Sequence, residues 1–230
     1  MFSLGLIGHG AYADPYFASV VSLLPLDADI LDIKTPVWTA VGSAAISAVQ
    51  SKFGGGSLVI NAANTRLTTP NFAGFNFAAE DFTVEAWIYP LDTAGGAIVV
   101  GQANQSSVAG SSWVMGCGTT SSACAVYVGA TPYVIDAAQP TINGWHHLAF
   151  VRQSGTLTSY LDGVRVDTRS DLGVSSVNVG TATYPPAIGS LTLGGAQQFH
   201  GYIDDVRVTK GVARYTGATY TVPTAAHPLS

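Results

Sequence analysis

From residue 19 to residue 209 the chain repeatedly alternates apolar and polar side chains with a period of two, the spacing of a strand with one face buried. Residues 82–89 place Phe82, Val84, Ala86 and Ile88 on one side and Thr83, Glu85, Trp87 and Tyr89 on the other. Residues 145–152 are apolar on both sides, as a central strand between two covered layers requires. Residues 157–161 and 164–166 bracket Asp162-Gly163, which predicts a two-residue hairpin, because a type I′ turn needs positive φ at both central positions. In residues 201–208 the apolar positions are 203, 206 and 208. The step from 203 to 206 is out of phase, so burying all three demands a β-bulge at Asp204 or Asp205. Residues 103–112, 118–123 and 181–186 are rich in Gly, Ser, Thr, Ala and Pro and read as loops. No helical period persists. The expectation is one all-β domain over residues 14–230, a two-sheet antiparallel sandwich, preceded by an arm at residues 1–13.

Composition narrows the class. Of 230 residues only 10% are charged and 47% are apolar, with 26 glycines and 11 prolines, which excludes a disordered chain, a coiled coil and a helical bundle. A chain of this length buries roughly 70–75% of its unfolded surface, enough to fold without staples. The net charge of −5 comes with no basic stripe, so no nucleic acid partner is expected. No apolar run reaches the roughly 18 residues of a membrane span. Ala11-Tyr12-Ala13 has the small-residue form of a signal-cleavage site, but no basic residue precedes it and Gly5, Gly8 and Gly10 interrupt the apolar stretch. The segment reads instead as an arm that packs on a neighbour or stays mobile. Cys117 and Cys124 are the only cysteines. Alternation on either side of them suggests two antiparallel strands with the sulfurs facing, a candidate disulfide in an oxidising compartment and two buried thiols otherwise.

Five segments then resemble one family in the right order: residues 52–58 (Lys-Phe-Gly-Gly-Gly-Ser-Leu), 82–90, 144–149 (Gly-Trp-His-His-Leu-Ala), 160–164 (Tyr-Leu-Asp-Gly-Val) and 201–215. Together they resemble the laminin-G-like branch of the concanavalin A-like jelly rolls, over about residues 16–224. The ending Thr-Lys-Gly-Val-Ala-Arg-Tyr at 209–215, with residues 14–21 far upstream, is most similar to versions in tailed-phage structural proteins and related adhesins. The resemblance implies two antiparallel sheets of six or seven strands, adjacent first and last strands, and ligand contacts from rim loops or the concave face. The function expected on that basis is a noncatalytic virion protein of a tail, fibre or head surface that binds glycans or neighbouring subunits. The alternatives are a secreted bacterial carbohydrate-binding module and a glycoside hydrolase of the same fold. Implied partners are other virion proteins through the arm and host-surface polysaccharide, in a homo-oligomer. The expected location is the virion, or otherwise the secreted fraction.

Glucanases of this architecture need paired carboxyl groups about 5–5.5 Å apart for a retaining mechanism. The only glutamates, Glu80 and Glu85, fall on opposite strand faces, which argues against an enzyme. Residues 8–13 match a dinucleotide fingerprint on paper, but Pro15 falls where its helix would run and only strands follow. His146 and His147, adjacent on a strand, point to opposite faces and are expected to pack rather than share a metal. The resemblance implies a structural calcium at a sandwich rim on Asp205, joined by Asp27 or Asp29. Salt bridges from Asp204 or Asp205 to Arg207, Lys210 or Arg214 are the competing reading. No other cofactor is expected. Sugar recognition needs exposed rings and nearby polar groups. Trp113, Tyr133, Tyr184, Gln198 and His200 in or near loops are the candidate ligand residues, although each aromatic reads more readily as a core or loop plug.

Overall fold

The computed structural model describes residues 13–92, 96–103, 112–118, 124–128, 131–136, 139–171, 185–191 and 197–230. Residues 1–12 of the expected arm at 1–13, Tyr184 and most of the three expected loops lie outside these residues. Apart from two short 3-10 turns, the described elements are strands: β1 (Val20–Leu24), β2 (Thr39–Val41), β3 (Ala45–Ser47), β4 (Ser57–Ile60), β5 (Arg66–Thr68), β6 (Phe82–Pro90), β7 (Gly96–Gln102) and β8 (Ser112–Gly118). There follow β9 (Cys124–Val128), β10 (Thr131–Ile135), β11 (His146–Gln153), β12 (Thr156–Leu161), β13 (Val164–Arg169), β14 (Ala187–Ile188) and β15 (Gly201–Lys210). Among the described residues no helix is long and apolar enough to cross a membrane.

Two antiparallel sheets form the sandwich. One has seven strands in the order β10-β9-β8-β7-β14-β5-β2; the other has eight, in the order β13-β12-β11-β6-β15-β4-β3, with β1 also paired to β15. First and last strands are therefore neighbours, and the backbone N–H of Asp14 donates to the carbonyl of Ser230 at 2.9 Å. Alternation decides what each face holds. Phe82, Val84, Ala86 and Ile88 of β6 are all fully buried in the main core with Leu148 and Phe150 of β11. Between the layers Phe77 stacks on Phe82 at 4.4 Å and meets Trp113 of β8 at 5.1 Å. Each such side chain, fully buried, contributes roughly 1.5–3 kcal/mol.

Both local devices read from the sequence are present. Asp162 and Gly163 have φ of 50° and 79° and link β12 to β13, with Leu161 opposite Val164. The β6–β15 register slips between Asp204 and Arg207, and Asp205 takes a φ of 49°. The bulge returns Val206 and Val208 to the core alongside Ile203. It also marks a seam. One edge of β15 pairs with β4 over Gly201–Ile203 and with β1 over Val206–Thr209, leaving Asp204 and Asp205 between the two partners.

The expected cysteine geometry does not form. Met115, not Cys117, stands opposite Cys124, so the sulfurs are offset along the ladder. Both residues are free and buried, and burial pushes each thiol up to about 12, the behaviour of inert core cysteines.

Candidate functional site

At the end of the eight-stranded sheet where Gly201 pairs with Ile60 and Pro90, the chain leaves β4 and β6 and enters β15. Three connections meet there beside a shallow, open pocket of about 330 Å³ bordered by Asn61, Asp92, Gln198 and His200. His200 Nδ1 donates to Asp92 Oδ2 at 2.6 Å and Nε2 to the Asn61 carbonyl at 3.1 Å. With both ring nitrogens donating, the hydrogen bond to Asp92 and then that to Asn61 raise the His200 pKa. Gln198 donates its amide to the Ala62 carbonyl. The polar half of the sequence-based ligand set, Gln198 and His200, is thus brought together.

One residue inward, a row of partly exposed rings crosses the outer face of the same sheet. Tyr89 of β6 lies opposite Tyr202 of β15 with centroids 6.0 Å apart, and Trp145 packs edge-on to Tyr89 at 5.6 Å. Sequence reasoning missed this row. Its signal was present: Tyr89 continues the non-core side of the 82–89 alternation. The aromatic half of the sequence-based set fares differently. Trp113 is fully buried and donates its indole N–H to the Phe75 carbonyl at 3.2 Å; it fills the core and cannot meet a ligand. Tyr133 is half-buried, packed against the main core with the Arg169 guanidinium 5.1 Å from its ring centre.

A second cluster sits at the β15 seam, and it corrects the expected metal set. Asp205 is held by the final segment: its carboxylate accepts the backbone N–H of His227 at 3.0 Å and is almost wholly buried. Asp29 is exposed and accepts the N–H of Leu31 at 3.0 Å. The bulge instead turns Asp204 toward the loops after β1 and before β4. Asp204 Oδ2 accepts the N–H groups of Lys52 at 2.8 Å and Phe53 at 3.2 Å, while Oδ1 is buried without a hydrogen-bond partner. Burial, with a contribution from the nearby Asp27 charge, pushes the Asp204 carboxyl up to about 7. Asp27 lies against the glycine run: a Cβ on Gly54 would sit 1.9 Å from its Oδ1, and one on Gly56 2.5 Å from its carbonyl oxygen. A buried carboxylate oxygen lacking a donor, with the Asp27 charge nearby, supplies hard oxygen donors of the kind calcium takes. Neither Asp204 nor Asp205 forms the expected salt bridge, because Arg207 and Arg214 are held elsewhere and Lys210 pairs with the exposed Glu80.

The third cluster lies under residues 211–230, which run across the outer face of the eight-stranded sheet. There Tyr215 stacks on Tyr220 at 3.7 Å, and both pack on Ala149, Val151 and Tyr160. Beneath them Glu85 is fully buried. Its Oε1 accepts Arg207 Nε at 2.8 Å and its Oε2 accepts the Tyr215 hydroxyl at 2.6 Å. Burial alone would raise the Glu85 carboxyl, yet the Arg207 charge holds it well below its usual range. Arg214 grips Asp14 with Nη1 at 3.0 Å and Nη2 at 2.7 Å. A carboxylate so held is a structural anion, with neither the solvent access nor the proton affinity of a general acid.

Comparison with known proteins agrees with this architecture. A family model described as the concanavalin A-like lectin/glucanases superfamily, laminin-G type, matches residues 61–214. No curated protein sequence is significantly similar. Among solved structures, domain 4 of AbnA, an extracellular GH43 arabinanase of Geobacillus stearothermophilus in complex with arabinotriose, has a TM-score of 0.64 at 18% identity, over 85% of this chain and 94% of that one. The binding domain of botulinum neurotoxin serotype D gives 0.58 at 10% identity, over 86% and 49% of the two chains. The enzymatically active domain of tailspike protein 2 of bacteriophage CBA120 gives 0.57 at 17% identity, over 84% of this chain and 32% of that one. The chain thus spans nearly all of the arabinanase domain, half or less of the other two, and shares with all three a fold. The two packed sheets, the adjacent terminal strands and the matched residues together make the chain a laminin-G-type member of the concanavalin A-like lectin/glucanases superfamily.

Proposed function

We propose that the chain is a noncatalytic, lectin-like domain that holds saccharides at the rim formed by Asn61, Asp92, Gln198 and His200 and on the neighbouring row Tyr89, Tyr202 and Trp145. The observation that carries this reading is the pairing of partly exposed rings with a pocket of amide, carboxylate and imidazole groups. Rings cover the apolar faces of sugars, and the polar groups bind hydroxyls. Burial of Glu85 and the ion pair of Glu80 with Lys210 favour binding over hydrolysis. Likeness in fold to an arabinanase domain in complex with arabinotriose and to a phage tailspike domain supports a surface polysaccharide as ligand and a phage-type adhesive or structural protein as the setting. Many copies would convert weak contacts into avidity.

On a glycan array followed by calorimetry, Tyr202→Ala and His200→Ala should each weaken binding at least tenfold, about 1.4 kcal/mol, with no release of reducing ends from laminarin, alginate or host exopolysaccharide. Binding that ignores both substitutions refutes the rim. Release of reducing ends by the unaltered protein refutes the noncatalytic reading.

The Asp27–Asp204 cluster fits calcium, which would be held by those carboxylates and the Asp27 carbonyl, and would tie the loops flanking β1 and β4 to β15. An ion that binds only the folded state stabilises it by mass action. At calcium 100-fold above its Kd the melting temperature should rise roughly 5–10 °C, a rise that chelator removes and Asp204→Asn abolishes. A melting temperature indifferent to both calcium and chelator refutes the calcium reading.

A further inference from the structure

His227, three residues before Ser230, enters the sheet surface from the final segment and is buried there with His147 of β11 and Glu85 of β6. His147 Nε2 lies 3.4 Å and His227 Nε2 3.8 Å from Glu85 Oε2. Neither Nε2 atom has a hydrogen-bond partner, although both are buried. Two buried ring nitrogens close to one carboxylate oxygen but without a hydrogen bond are a costly arrangement.

The separations suit a different occupant. Ligand atoms around a tetrahedral ion at about 2.0–2.1 Å are about 3.4 Å apart, and the three atoms here all lie within 4.8 Å of one another. His147 is also oriented from behind, with Nδ1 2.6 Å from the Tyr220 hydroxyl. A ring that donates from Nδ1 presents the Nε2 lone pair forward, the tautomer a metal selects. Glu85 Oε2 accepts one hydrogen bond, from Tyr215, which leaves it a further lone pair. Asp205, with Oδ2 3.6 Å from His227 Nε2, is the next nearest carboxylate.

We propose that Glu85, His147 and His227 bind a zinc ion that fastens the last segment of the chain to the outer face of the eight-stranded sheet. Two imidazoles and a carboxylate favour zinc over calcium, whose shell is built of oxygen. This site is separate from the Asp27–Asp204 cluster and from the sugar-binding rim, and stands whatever those prove to hold.

The test uses the full chain, stripped with chelator and titrated with cobalt(II) in excess calcium. One equivalent should bind and develop the intense visible bands of a tetrahedral ion, and zinc should bleach them. His227→Phe keeps the ring volume and removes one ligand; it should lose those bands while a His200→Ala control retains them. Anomalous diffraction at the zinc edge on the unaltered protein needs no variant: a peak about 2.0–2.2 Å from both Nε2 atoms and Glu85 Oε2 supports the site. Absence of that peak after zinc soaking, or cobalt bands that persist in a folded His227→Phe protein, overturns it.

Discussion

Glu85→Gln should cost about 3–5 kcal/mol of folding stability, read as a lowered urea midpoint with an unchanged slope. The substitution is nearly isosteric and leaves no cavity, so the loss isolates the charge. Two guanidinium groups, Arg207 and Arg214, are almost fully buried under the final segment, and Glu85 and Asp14 are the carboxylates that meet them. Removing one anion strands a cation in a site of low polarity, where an unpaired charge costs more than the pair contributed. Pairing the change with Arg207→Met should restore much of the loss, because an apolar pair of similar size suffers no such desolvation. A cycle in which the two losses simply add would show that solvent reaches the pair. Acid should act through the same network. Burial alone would raise the Asp14 carboxyl, but hydrogen bonds from Arg214 and the charges of Arg214 and Arg207 hold it lower than usual. For a carboxylate with a depressed folded-state pKa, the stabilisation is present above the unfolded value and lost as pH falls through the folded one. The salt link that docks residue 14 therefore weakens only below the ordinary carboxylate range.

Trp113→Ala is the second large effect, about 3–5 kcal/mol, with saccharide affinity unchanged in whatever fraction stays folded. Its ring lies 5.1 Å from Phe77 and 6.2 Å from Phe75, and its indole N–H satisfies the Phe75 carbonyl. Truncation opens a cavity between the layers and leaves a buried carbonyl unpaired, two penalties with separate origins. Affinity that falls with stability unchanged would place the ring at the rim after all.

The contrast between Trp113 and Tyr202 shows where the sequence stops being informative. Alternation within one strand is local, so the faces of β6, the Asp162-Gly163 turn and the bulge before Val206 could all be read from neighbouring residues. β8 offers no such contrast: Trp113 and Val114 are both buried, on opposite sides of their strand, and apolarity alone could not say which faces a ligand. The aromatic row failed for another reason. Trp145, Tyr89 and Tyr202 belong to separate segments, and their adjacency depends on pairing registers spanning more of the chain than any local pattern covers. The same holds at the seam. That one of Asp204 and Asp205 must bulge was legible; that the bulge hands Asp204 to the backbone of Lys52 and Phe53 and Asp205 to His227 depends on which loops fold over each side.

The seam of β15 also sets an order of events during synthesis. β1, β4 and β6 all hydrogen-bond to this one strand, which emerges only after some two hundred residues have been made. Until then β1 and β4 are without their common neighbour and β6 has one open edge, so the eight-stranded layer cannot close while the ribosome is still translating the earlier strands. Closure across such sequence separations is slow, and unpaired edges invite association between nascent chains. Efficient production should therefore depend less on the rate at which early hairpins form than on keeping those edges apart for the seconds before the last strand arrives.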